Sequence, residues 1–138
     1  MNTKLLLRVK RAILRHPKQF DMSRWFFYVG ADVPRCGTTA CIAGWALTLD
    51  GKTTPLKMAK RLYKKLTGGE LREGGAMGGI YNNDIESRAA KALGLTEHQA
   101  RWLFHVHNWP REFQNGVNPS PELAAQRIDH FIATEGRE

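Results

Sequence analysis

Two cysteines, Cys36 and Cys41, in 138 residues are too few for a disulfide framework, and a reducing compartment disfavours a bridge between them. Long apolar runs are also missing. The longest candidate, Ala40 to Leu49, is about half the ~20 residues that a membrane-spanning helix needs. The N-terminus shows neither the apolar core nor the small-residue cleavage site of a signal peptide, so a cytoplasmic protein with no membrane partner is expected. Acidic residues are scarce where basic ones are dense. Residues 1–67 carry fourteen Lys and Arg against three Asp and Glu, whereas residues 68–138 carry seven against ten. The formal net charge of +8 and the pI near 9.9 therefore come from the first half, and they suggest an anionic partner.

What is present is enough for one folded domain. With 42% hydrophobic and 25% charged residues, the chain has an ordinary globular composition and needs no metal or cross-link to hold a core. At 100° per residue, Thr3 to His16 places Lys4, Arg8, Arg11 and Arg15 in one stripe and Leu6, Val9 and Ile13 opposite, an amphipathic helix ended by Pro17. Pro55 to Leu66 repeats the pattern. There Lys57, Lys60, Arg61, Lys64 and Lys65 fall within about 140° of arc, opposite Met58, Ala59, Leu62, Tyr63 and Leu66. Between these helices, Thr38 to Leu49 has no β alternation and is apolar or small on every side, as a helix buried in a bundle would be.

Residues 68–79 contain six glycines, a composition whose ordering entropy argues for a loop without regular structure between two possible halves, 1–67 and 80–138. Beyond it, Asp84 is expected to cap a helix running to Leu93, with Gly94 in the C′ position. Thr96 and Gln99 form a capping box for a helix to about His107, closed by Pro110, and Pro121 starts the last helix. No convincing strand and no repeat is visible. The expectation is an all-α single domain, residues 1–138, around a buried central helix.

Several residue sets could carry chemistry. The nine side chains of the two basic stripes could contact phosphates without sequence preference, because neither stripe contains the interspersed Glu that solvated helix faces normally use for i,i+4 pairing. Cys36, read as standing just before the buried helix, would have its thiolate stabilised by unpaired N–H groups, and His105 or His107 with Asn108 would complete a Cys, His, Asn order. In this it is similar to papain-like thiol enzymes. The usual strand-borne His is missing, however, and the plainer reading packs Cys36 and Cys41 as small hydrophobes.

Cys36 and Cys41 with His105 and His107 could also form a Cys2His2 metal site, provided the helix unwinds so that the two histidines converge. No cofactor is otherwise called for. AAKALGLTEHQARWLF fits a helix-turn-helix spacing in which Thr96, Glu97, His98 and Arg101 would face a DNA groove, although Gly94 also serves as an ordinary turn between packed helices. Trp25, Trp45, Trp102 and Trp109 read as core and hinge packing.

The blocks CGTTACIAGWA, LGLTEHQARWLF, NWP and AAQRIDHFI, in this order, resemble small proteins from bacteria and their phages, over about two thirds of the chain. The resemblance implies an all-helical fold and an accessory or host-interaction role, and it assigns no functional residues. The leading expectation is thus a non-enzymatic protein that binds nucleic acid or another polyanion. A thiol enzyme and a protein–protein adaptor are the alternatives.

Overall fold

The computed structural model describes residues 1–29, 38–78, 82–116 and 118–137. Its helices begin where side chains can satisfy the first free N–H groups. Helix α1 (Thr3–Arg15) is capped by the Asn2 carboxamide, which accepts from Leu5 N at 3.0 Å, and it stops where Pro17 holds His16 out of helical geometry. A strand β1 (Phe26–Tyr28) and a strand β2 (Thr38–Ala40) precede helix α2 (Ile42–Asp50). Helix α3 (Pro55–Thr67) is capped by Thr54 and ended by Gly68, whose φ of 77° closes the αL cap. A two-residue strand β3 (Ala76–Met77) leads to helix α4 (Asn82–Leu93), helix α5 (Glu97–Phe104) and, after two short 3-10 turns, helix α6 (Pro121–Ala133).

The protein is mainly α, with a small antiparallel sheet in the order β2-β1-β3 that corrects the all-α expectation. Phe26 pairs with Ala40 on one side and with Met77 on the other. Two- and three-residue strands are too short to show alternation, which is why they escape a periodicity reading. The glycine-rich stretch is likewise more ordered than its composition suggests. Met77 is fully buried, and its carbonyl accepts from Trp25 N at 3.0 Å, so sheet pairing and apolar burial offset the ordering cost around it. Asp84 is in the first turn of α4 rather than capping it, because that helix starts earlier, at Asn82.

Helix α2 is buried from Ile42 through Thr48 and packs against α1, α3 and α4, as expected of a central helix. It starts later than expected. The chain runs as strand from Thr38 to Ala40, and Cys41 is the N-cap, so the free N–H groups of the helix meet Cys41 rather than Cys36. The capping box at Thr96 and Gln99 is present in both directions, and Gly94 turns with φ 64°. No helix among the described residues is long and apolar enough to cross a membrane.

Candidate functional site

Helix α1 buries Leu5, Leu6, Val9 and Ile13 against the core and turns Lys4, Arg8, Arg11 and Arg15 outward, all exposed. Arg8, Arg11 and Arg15 then line a cleft of about 440 Å³ between α1, the end of α2 and the start of α3. Its other walls are Ala12, His16, Gln19, Trp45 and Leu49, closed by Thr53, Thr54 and Pro55. Among the described residues, no acidic side chain lines it and no ion pair involves any of the nine stripe cations. Lys10 of α1, which lies outside the stripe, reaches Asp129 of α6 at 2.7 Å. Among the described residues, no side chain therefore neutralises the arginine charges.

The floor of the cleft is aromatic. Trp45 is held by its indole N–H, which donates to the Gln19 carbonyl at 3.0 Å, and the His16 ring stacks on it at 5.8 Å with planes 10° apart. Trp45 packs in the core, as expected of it, but it also fronts this cleft. Sequence reading missed His16, Thr53 and Thr54 as lining residues. The only signal for His16 is its place at the end of the arginine row.

The second basic stripe divides. Lys60 and Lys64 line a separate cleft of about 270 Å³ that also contains Glu70, and the Lys60 ammonium lies 5.4 Å from the Tyr28 ring centroid. Lys57, Arg61 and Lys65 are exposed on α3 and line neither cleft, and neither does Lys4. The structure thus brings Arg8, Arg11 and Arg15 together and leaves the α3 cations on another surface. On α5, Thr96, Glu97, His98 and Arg101 are all exposed, but Thr96 caps the helix, and Glu97 and Glu86 line with Arg101 a cleft of about 310 Å³.

The histidines form a different cluster. Helix α5 ends at Phe104, so the chain does unwind before the H-x-H pair, and the His105 and His107 rings come within 5.7 Å. His105 Nε2 is 2.7 Å from Glu86 Oε2, a pairing 19 residues apart in sequence that no local motif announces. Asn108 is engaged elsewhere, its amide donating to the Arg101 carbonyl at 3.1 Å. Cys36 lies outside the described residues. Cys41 shares a cleft of about 240 Å³ with His105, yet no group of three metal-ligating side chains occurs among the described residues.

Cys41 is a free, buried thiol whose Sγ accepts from Gly44 N at 3.5 Å. Burial pushes its pKa from the ordinary 9.0 up to about 12, against the opposing effect of the backbone N–H groups at the start of α2. The thiol is therefore neutral at physiological pH. Iodoacetamide at pH 8, followed by peptide mapping, should leave Cys41 unmodified in the folded protein and alkylate it in urea. Because the unfolded thiol ionises near 9 and the folded one near 12, this group's contribution to stability is complete below pH 9 and is lost as pH rises toward 12.

No family model, curated protein or solved structure matches the chain.

Proposed function

We propose that this protein binds a polyanion, nucleic acid above all, through the exposed face of α1, as a non-enzymatic accessory protein. The observation that carries the reading is the convergence of Arg8, Arg11 and Arg15 on one cleft with no acidic residue among its described lining. Guanidinium groups suit this task because each stays charged at any physiological pH and offers a planar fork of donors that matches phosphate oxygens. The lysines of α3 extend the positive field without belonging to the same cleft, which fits long-range attraction better than direct contact.

A thiol enzyme ranks second. Its one supporting observation is His105, held by Glu86 at 2.7 Å in the manner of an oriented base. Against it, Asn108 is turned to the α5 carbonyl at Arg101, and the described cysteine is a neutral buried thiol.

Fluorescence anisotropy with labelled oligonucleotides tests the leading reading. Three phosphate contacts give a slope of log K against log salt of about −2.1 (single strand) to about −2.7 (duplex), so affinity should fall about 20- to 40-fold between about 50 and about 200 mM salt. Absence of binding at low salt, or binding indifferent to salt, would eliminate it.

A further inference from the structure

We infer that the α1 cleft is a single-strand site, in which a nucleobase stacks on the His16–Trp45 pair while the flanking phosphates lie along Arg8, Arg11 and Arg15. This rests on the polyanion reading and adds to it which form of nucleic acid is taken and how. A row of arginines alone would serve any phosphate backbone. The cleft holds more than that: a two-ring aromatic stack, one ring of which, His16, is exposed at the end of the row.

The geometry follows from the sequence. Arg8, Arg11 and Arg15 are spaced i, i+3 and i+7, so they share one face of α1 and span about 10 Å along its axis. The helix ends at Arg15, two residues before Pro17, and His16, at φ −124° and ψ 60°, leaves helical geometry and sets its ring parallel to the Trp45 indole, with centroids 5.8 Å apart. Trp45 cannot swing away, because its indole N–H is bonded to the Gln19 carbonyl. The imidazole is thereby backed by a fixed indole, and the outer ring of that stack is presented beside the last arginine.

Volume and chemistry agree on the occupant. At about 440 Å³ the cleft falls within the range of small-ligand sites and exceeds what a lone phosphate would need. Bases offer a π-face to stack on aromatic rings and on guanidinium planes, with little dependence on sequence. In a duplex those faces are occupied by neighbouring base pairs, whereas a single strand can turn a base out into a cleft. The site should therefore prefer single strands and be tolerant of their sequence.

The test measures binding of a labelled 12-nucleotide single strand, and of the duplex made from it, to the full chain and to His16→Ala and His16→Phe. Circular dichroism and thermal melting confirm that each variant is folded. The inference predicts tighter binding of the single strand, a loss on the order of tenfold for it with His16→Ala, little change for the duplex, and retention with His16→Phe, which keeps a stacking ring. An unchanged single-strand affinity in folded His16→Ala overturns the inference, whatever the strand preference, and so does equal binding of strand and duplex. In both of those outcomes salt-dependent binding itself would persist, and only its complete absence would bring down the polyanion reading as well.

Discussion

Replacing Arg8, Arg11 and Arg15 together by Gln should weaken nucleic-acid binding on the order of 100-fold at low salt, since each exposed contact to a phosphate contributes about 1 kcal/mol. Charge reversal of the same three to Glu should abolish binding, because repulsion is then added to the lost attraction. Lys60→Gln with Lys64→Gln should cost far less. Those two lysines line a different cleft, one that already contains Glu70, and they are expected to act through the general field. Comparable losses from the α1 and α3 variants would mean that the arginine cleft has no special role. Stability should barely change in any of these variants, since all five side chains are exposed and none is in an ion pair among the described residues.

The largest effect on stability is expected from Gly44→Ala. Gly44 lies in the first turn of α2, where the helix crosses the sheet at backbone distance. A Cβ there would stand 2.4 Å from the Trp25 carbonyl oxygen, 2.9 Å from the Ala40 Cβ and 3.2 Å from the Phe26 ring. Two of these neighbours are backbone or a side chain fixed directly to it, so α2 would have to move as a unit. Overpacking of this kind costs about 2–3 kcal/mol, enough to outweigh the ~1 kcal/mol by which Ala is normally preferred to Gly inside a helix. The net of about 1–2 kcal/mol should lower the melting temperature by about 5 °C.

Gly69→Ala provides the contrast. A Cβ there meets only the Thr67 hydroxyl at 3.6 Å and the Tyr63 ring at 3.7 Å, ordinary van der Waals contacts, and the change should stay within about 0.5 kcal/mol. Gly44→Ala also bears on function, because Trp45 is the next residue. A shift of α2 that relieves the clash displaces the indole under His16, so binding of single strands should weaken even at temperatures where the variant is folded.

How far these features were legible depends on whether their cause is local. Caps and stops are local, and Pro17, Thr96 with Gln99, Gly94 and Pro121 mark helix ends that the structure bears out. The alignment of Arg8, Arg11 and Arg15 is also readable, because 3.6-residue periodicity alone puts them on one face. The sheet was not. Phe26–Tyr28, Thr38–Ala40 and Ala76–Met77 are held by pairings across the chain and by the burial of Phe26 and Met77, neither of which leaves a period in so few residues.

The same distinction separates the parts of the cleft. Its arginines could be found from helical geometry, but its aromatic floor depends on the crossing of α2 with α1, which brings Trp45 to His16 across 29 positions. Misplacing the start of α2 had a chemical consequence too. A helix beginning at Thr38 puts Cys36 at its head, whereas the helix beginning at Ile42 gives that position to Cys41, a residue buried too deeply to ionise at physiological pH. The pairing of His105 with Glu86 arises from the packing of α5 on α4 and carries no sequence mark at all.

The salt dependence of binding, measured for the native chain beside the Arg8→Gln, Arg11→Gln, Arg15→Gln variant, tests the central claim most directly. If those three side chains contact phosphates, the slope of log K against log salt should be shallower in the variant by about 2, close to −0.7 for each contact removed from a single strand. Equal slopes in the two proteins would contradict the account, because the arginine cleft would then be solvated surface and any binding would run through another part of the molecule.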